Sequence, residues 1–128
     1  MPGLWVVVAA ALTWSGISVF AQDSPSPVPE PSQIVGIASF YGINHKGRTA
    51  SGVPYDGSDF TAAHRTLPFG TRLRVTAPHN KRSVVVVVND RGPFIKGRVL
   101  DLSMAAAKEL QMVDRGLIKV TAAVEPEP

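Results

Sequence analysis

The feature that most limits the possible folds of this chain is a run of five valines, Val84 to Val88, that leads directly into Asn89 and Asp90. β-branched side chains fit a pleated strand better than a helix, so the run predicts a strand. The run lacks the polar–apolar alternation of a half-exposed strand. We therefore expect both of its faces to be covered, as in the central strand of a closed barrel.

Four further segments predict strands, at 34–41, 72–77, 97–102 and 117–124. Polar and apolar residues alternate along the segment 72–77. The turn-forming residues that follow it predict a hairpin with the valine run. Ser103 can cap one short helix over 104–112, with Leu102, Ala106 and Leu110 facing the barrel. These elements predict a mainly β fold, a small barrel in which the long Gly-rich loop at 42–60 carries function.

The two ends of the chain lie outside the predicted barrel. An apolar run followed by small residues before Gln22 predicts a signal peptide over 1–21, with an uncleaved anchor as the alternative. Alternating prolines favour polyproline II and predict a linker over 22–33, and 126–128 is a tail. We expect a domain at 34–125 that is periplasmic or secreted, with no stable membrane span after cleavage.

Composition narrows the possible partners and cofactors. The 128 residues include no cysteine, which excludes disulfides, thiolate metal sites and a cysteine-linked lipid anchor. All 13 Lys and Arg residues lie within 34–124, where there are six acids, so this part carries 13 − 6 = +7. Such a charge suits an anionic polymer, and export favours cell-wall glycan over nucleic acid. Three dispersed histidines predict no metal site. We expect a monomer without a cofactor.

Five motifs appear in the order typical of the rare lipoprotein A (RlpA) family, which the chain resembles over about 34–124. They are ASFYG (38–42), GRTASGV (47–53), TAAHRTLPFGT (61–71), VVVNDRGPF (86–94) and GRVLDLSMAAA (97–107). The resemblance implies a six-stranded double-psi β-barrel with one or two short helices, related to barwin, expansin and family 45 endoglucanase domains. It also implies an endolytic transglycosylase that acts on peptidoglycan glycan strands and prefers strands without stem peptides. Val53 stands where the family often has Glu, and no SPOR domain is expected to direct the chain to the septum.

The implied reaction needs only one protein carboxyl group. The 6-hydroxyl of N-acetylmuramic acid attacks its own anomeric carbon, so one acid can first donate and then accept the proton. Ordinary glycosidases usually need two carboxylates. We predict Asp90 in this role, kept protonated near neutral pH by the adjacent valines, with Arg91 turned to the other face of the strand. The alternative is that Asp90 has only a structural role, in a turn that follows the strand.

The other site predictions each have a structural alternative. His64 is predicted to orient Asp90 or bind a sugar hydroxyl, and Asp56 to act as a second acid of the cleft. Asp101 stands just before the predicted helix, where a structural role toward the helix amides is the favoured interpretation. The predicted substrate-binding residues are Tyr41, Arg48, Thr49, Asn89, Arg91 and Asp101.

Two other functions stay open at this point. The first is a non-catalytic, expansin-like module that binds glycan, which Val53 in place of the family Glu favours. The second is a defence or signalling protein of the barwin kind. Barwin domains are rich in cysteine, and this chain has none.

Overall fold

The computed structural model describes residues 33–126. The predicted signal peptide at 1–21, all but the last residue of the linker and most of the tail lie outside the described residues. Within them, the elements in chain order are β1 (Ile34–Phe40), β2 (Thr61–Ala63), β3 (Arg72–Ala77), β4 (Arg82–Asp90), β5 (Arg98–Leu102), α1 (Met104–Glu109) and β6 (Ile118–Val124).

The strands close into a six-stranded barrel in the order β1-β5-β2-β4-β3-β6, which confirms the predicted fold class. The pairs β1–β5 and β2–β4 are parallel, and the other neighbours are antiparallel. The β3–β4 hairpin forms where the sequence predicts it. The sequence did not reveal β2, because a three-residue strand is too short to show a period.

The valine run lies at the centre of the barrel wall but is covered on one face only. Val84, Val86 and Val88 are buried in the interior, Val85 is half-buried and Val87 is 37% exposed. The prediction that both faces are covered was therefore wrong. Closure of the barrel pairs every strand edge, so the wall needs no second layer outside it.

The helix α1 covers one side of the barrel and is shorter than predicted. Ala106, Leu110 and Met112 are fully buried, and Ser103 caps the helix as expected. The helix ends at Glu109 because Gln111 has a left-handed φ of 54°. The amides of Gln111 and Met112 bond back to the carbonyls of Lys108 and Ala107, which is a Schellman motif. No helix within 33–126 has the length and apolar composition needed to cross a membrane.

The one-sided burial of β4 can be tested by truncating adjacent valines. Val86→Ala removes buried methyl groups from the interior and is expected to lower the free energy of unfolding by about 2 kcal/mol. Val87→Ala, on the outer face, is the matched control and should cost less than about 1 kcal/mol. Urea unfolding of both variants measures the difference. Equal losses would contradict the inside–outside assignment.

Candidate active site

A β-bulge at Asn89 decides where Asp90 points. Val88 lies opposite Ala62 of β2, but the next pair is Ala63 with Asp90, so Asn89 is an extra residue in β4. Without it, alternation would direct Asp90 to the interior like Val88. Ala62 belongs to the core, so its neighbour Ala63 faces outward. Asp90, directly opposite Ala63, shares that outer face.

Four residues form a row across the outside of the barrel, which we call the outer row: Ser39, Asp101, Ala63 and Asp90. Asp101 of β5 pairs with Ser39 of β1 on one side and with Ala63 on the other. Neighbouring strands lie about 4.8 Å apart, so the two acidic residues are separated by about 10 Å at their Cα atoms. The alanine between them is fully buried, and Ser39 is 5% exposed. The outer row therefore brings two carboxyl groups to the same face of the barrel wall, with the alanine between them covered.

Each oxygen of Asp90 has its own hydrogen-bond donors. Oδ1 accepts from the backbone N–H groups of Ala50 at 2.7 Å and Arg91 at 2.9 Å. Oδ2 accepts from the Tyr41 hydroxyl at 2.5 Å. Because Oδ1 already accepts two N–H groups, Oδ2 is the oxygen that can carry a proton. The predicted valine surroundings were wrong, since three of the five valines face the core and the partners of this carboxyl are polar.

Tyr41 links Asp90 to an aromatic cluster. Its ring stacks on His45 with centroids 4.6 Å apart and meets Tyr55 edge-on at 4.8 Å. Burial raises the pKa of the Tyr41 hydroxyl, and the hydrogen bond to Asp90 and the charges of Asp90 and Asp101 raise it further. The hydroxyl therefore stays protonated well above neutral pH. The charge of Asp101 acts on the same phenol, which agrees with the position of both acids along the outer row.

A groove of about 640 Å³ opens beside this cluster, and the loop 42–60 forms most of its lining. His45, Tyr55 and Asp56 line it, and so does Val53, which is 57% exposed. Asp90 does not line the groove itself but is joined to it through Tyr41. The Asp56 carboxylate accepts from the hydroxyl and N–H of Ser58, which lower its pKa, the hydroxyl more strongly. Asp56 therefore lines the groove, with its carboxylate held by these two hydrogen bonds.

The His64 ring orders a loop and does not contact Asp90 by a hydrogen bond. Its Nδ1 accepts from the N–H groups of Thr66 and Leu67, both at 3.1 Å, while its own backbone N–H donates to the Asp90 carbonyl. Burial, and then the charges of Arg65 and Arg91, lower the pKa of His64. The ring is therefore neutral at pH 7, with its proton on Nε2. The predicted orientation of Asp90 by the His64 ring therefore has no hydrogen bond to support it among the described residues.

Two arginines hold the β2–β3 and β4–β5 connections together by hydrogen bonds to backbone carbonyls. The Arg91 guanidinium donates to the carbonyls of His64 and Leu67 at 3.1 and 2.8 Å and lies 4.0 Å from the centre of the Phe69 ring. Arg65 donates in the opposite direction, to the carbonyls of Pro93 and Arg98 at 2.7 and 2.6 Å. Arg91 forms no ion pair with Asp90 in the described part of the chain. Nη1 of Arg91 is bonded to backbone carbonyls, and the predicted contact of this guanidinium with substrate stays a prediction.

The loop 42–60 provides the Ala50 amide that donates to Asp90, and hydrogen bonds within the loop hold this amide in place. Thr49 is only 5% exposed, and its hydroxyl donates to the Val53 carbonyl at 2.7 Å. This burial contradicts the predicted contact of Thr49 with substrate and assigns it to ordering the loop. Arg48 donates to the Gly52 carbonyl from an exposed position. Asn89 accepts from the Ser51 amide through its backbone carbonyl, and its buried Oδ1 has no hydrogen-bond partner among residues 33–126.

Asp101 has a different structural role from the one predicted. Its Oδ1 accepts from the Ser39 hydroxyl and from Arg98 Nη2, the latter at 3.1 Å. Ser103 alone provides the side chain that caps α1, so the predicted service of Asp101 to the helix amides was wrong. The sequence also gave no indication of Ser39, His45 and Tyr55 as site residues. The contacts of Ser39 depend on the register of β1 with β5, and those of His45 and Tyr55 depend on how the loop 42–60 folds. Among residues 33–126, no group of three or more His, Asp and Glu side chains is placed to hold a metal ion.

Comparison with known sequences identifies related proteins. The family described as "Lytic transglycolase" matches residues 33–122. The chain is 57% identical over 88 residues to a probable endolytic peptidoglycan transglycosylase RlpA of Nostoc sp., which covers 66% of this chain and 24% of that protein. A protein of the same name from Treponema pallidum is 44% identical over 117 residues, which covers 91% of this chain and 35% of that protein. The chain thus spans well under half of the length of these curated relatives.

Solved structures show the same fold. The Streptomyces papain inhibitor has a TM-score of 0.61 and 28% identity, with 76% of this chain and 97% of that chain covered. The expansin of Clavibacter michiganensis has a TM-score of 0.60 and 25% identity, with 76% of this chain and 52% of that chain covered. Together with the family match, these likenesses confirm the double-psi β-barrel expected from the motifs.

The lowered pKa of His64 predicts how stability depends on pH. Because the folded pKa lies below the unfolded value near ~6.5, the stabilisation is complete above that value and is lost as the pH falls through the folded pKa. Protonation of Nδ1 breaks both bonds to the loop amides, which should cost about 1 kcal/mol. His64→Asn keeps an acceptor near the Nδ1 position and does not titrate. Its melting temperature should therefore fall less than that of the unsubstituted protein between pH 7 and pH 5.

The matched control is His79→Asn, at an exposed histidine in the β3–β4 turn. It should leave the pH dependence of the melting temperature unchanged. If His64→Asn showed the full loss of stability between pH 7 and pH 5, the ring of His64 would not be the titrating group.

Proposed function

The chain belongs to the lytic transglycolase family of RlpA-like double-psi β-barrels, and on this premise we propose that it is an endolytic peptidoglycan transglycosylase. It would cleave the bond between N-acetylmuramic acid and N-acetylglucosamine and leave 1,6-anhydro ends. The observation that carries the proposal is the position of Asp90. The bulge turns its carboxyl outward, and three donors fix the orientation of both oxygens.

Asp90 Oδ2 is the proton-transferring atom in this proposal. It donates its proton to the glycosidic oxygen as the bond from that oxygen to the anomeric carbon breaks. The muramoyl 6-hydroxyl then attacks the anomeric carbon, and Oδ2 takes up the hydroxyl proton, so that Asp90 returns to its initial state. Between the two steps, the amides of Ala50 and Arg91 and the Tyr41 hydroxyl stabilise the carboxylate.

Asp101 would supply the second negative charge of the site. The transition state of glycosidic cleavage resembles an oxocarbenium ion and carries positive charge at the sugar ring. Asp101 and Asp90 lie on the same face of the barrel wall, at a Cα separation of about 10 Å across the buried Ala63. Asp101 is held in place by Ser39 and Arg98, which suits a residue that stabilises charge without transferring a proton.

The groove beside the aromatic cluster is the proposed binding site for neighbouring sugars. Tyr55 and His45 offer ring faces and edges, and Asp56 offers a carboxylate for sugar hydroxyls. The net charge of +7 over 34–124 suits an anionic wall polymer. Glycan strands without stem peptides are the proposed preferred substrate. We place the domain outside the cytoplasm, exported by the signal peptide expected at 1–21, and acting as a monomer.

A non-catalytic glycan-binding module is the second candidate. Val53 favours it, because an exposed valine stands in the groove at the position where the family often has Glu. A binding module would retain the groove and the aromatic cluster but would release no products. The two candidates therefore differ in whether products are released from the glycan.

The primary test is the conversion of stem-peptide-free sacculi to 1,6-anhydromuramoyl products, followed by mass spectrometry. Asp90→Asn keeps the hydrogen-bond acceptor Oδ1 but cannot transfer the proton, and it is expected to lower the rate by about 10²- to 10⁴-fold. Asp114→Asn, at an exposed acid between α1 and β6, is the matched control and should keep full activity. If neither the unsubstituted protein nor Asp90→Asn gives products while both bind the sacculi, the module is the correct function.

Tyr41→Phe tests the hydrogen bond to Oδ2 separately from the aromatic cluster. The variant keeps its ring against His45 and Tyr55 but loses the bond to Asp90. We expect kcat to fall about 10- to 100-fold with little change in KM, from the loss of a charge-assisted bond.

The raised pKa of Tyr41 also makes a prediction for the pH–rate profile. Since the hydroxyl stays protonated far above neutral pH, the unsubstituted protein should show no loss of kcat between pH 7 and pH 10 from ionisation of this phenol. An alkaline decline in this range that is absent from Tyr41→Phe would contradict the assignment.

A further inference from the structure

Phe94 is a large apolar side chain left in water at the edge of the site. It is 79% exposed, and it follows the cis Gly92–Pro93 peptide bond in the β4–β5 connection. Single exposed apolar residues are common on protein surfaces, so exposure alone indicates nothing. Phe94 differs from other exposed apolar residues because hydrogen bonds fix the backbone of the connection that carries it.

The backbone is fixed on both sides of the Phe94 ring. Arg65 donates from Nε to the Pro93 carbonyl at 2.7 Å, and from Nη2 to the Ile95 and Arg98 carbonyls at 3.3 and 2.6 Å. The Arg98 amide closes the turn by donating to the Ile95 carbonyl at 3.0 Å. One guanidinium therefore orders the segment that carries the ring while leaving the ring itself uncovered.

The ring also lies beside the outer row. A Cβ atom built on Gly92 would lie 3.6 Å from Phe94 Cε2 and 3.9 Å from Asp101 Oδ2. The ring and the second carboxyl of the site therefore border the same point above Gly92. With a φ of +120°, this position also favours glycine by its backbone conformation, and the Phe94 ring lies against it.

We propose that Phe94 is a stacking platform for a pyranose ring of the glycan strand, on the Asp101 side of the bond that is cleaved. This proposal rests on the proposed function and names a further binding site for the same substrate. A pyranose presents apolar C–H groups on its face, and an ordered, exposed aromatic ring can cover them without losing much conformational freedom. Lys96, exposed in the same turn, adds positive charge for the lactyl carboxylate of a muramoyl residue.

The platform adds a second apolar ring surface to the site. The aromatic cluster and the groove are joined to Asp90 through Tyr41, and Phe94 lies beside Asp101.

The test uses binding and not turnover. Soluble stem-peptide-free glycan strands are titrated into the Asp90→Asn protein, which cannot consume them, and Kd is measured by calorimetry. Adding Phe94→Ala should weaken binding about 3- to 10-fold, the range expected for one aromatic contact. Phe94→Tyr should bind as the parent does, whereas Phe94→Leu, apolar but not aromatic, should bind as weakly as Phe94→Ala.

The matched control is Leu117→Ala in the same Asp90→Asn background. Leu117 is 53% exposed and lines a separate cavity with Pro78 and His79, so its removal should leave Kd unchanged. Parent-like binding by Phe94→Ala, with the melting temperature unchanged, would overturn the platform and leave the proposed function standing. Absence of binding by the Asp90→Asn parent would overturn both proposals.

Discussion

The extra residue in β4 is the constraint on which the candidate active site depends. A barrel strand that alternates strictly would send the carboxyl of Asp90 into a core of valine, leucine and alanine, where an acid cannot be solvated. The bulge at Asn89 reverses that direction at the last position of the strand. The five valines therefore anchor β4 in the barrel wall, and the residue after them changes the face to which Asp90 points.

The site is held by bonds between side chains and backbone, and not by covalent links. Arg91 leaves the β4–β5 connection to bind carbonyls of the β2–β3 connection, and Arg65 makes the reverse contact. Each guanidinium satisfies two or more carbonyls that the barrel ladders leave free, which is the usual requirement for partly buried backbone. Without cysteine, this pair of contacts performs the function that disulfides have in many small exported domains.

The sequence predicted the strands far better than the directions of the side chains. The strands β1 and β3 to β6 were placed to within two residues because they are long enough to show β-branched content or alternation. The strand β2 is three residues long and rich in alanine, so it shows no period. The helix α1 ends at Glu109, before a glutamine in the left-handed region, and no glycine marks that boundary in the sequence. The motif predicted Asp90 as the catalytic acid, but the direction of its side chain depends on the register of β4 with β2. The partners of Asp101 likewise come from β1 and from its own strand. Register is a property of the assembled sheet and cannot be read from one segment.

The loop 42–60 is bonded to the end of β4 by two successive backbone N–H donors. The loop lines the groove with Val53, Tyr55 and Asp56, the Ala50 amide donates to Asp90 Oδ1, and the Ser51 amide donates to the Asn89 carbonyl. A displacement of this loop therefore alters the hydrogen bonding of the Asp90 carboxyl. Under the proposed function, filling of the groove and reactivity of the acid would be linked through these two peptide units.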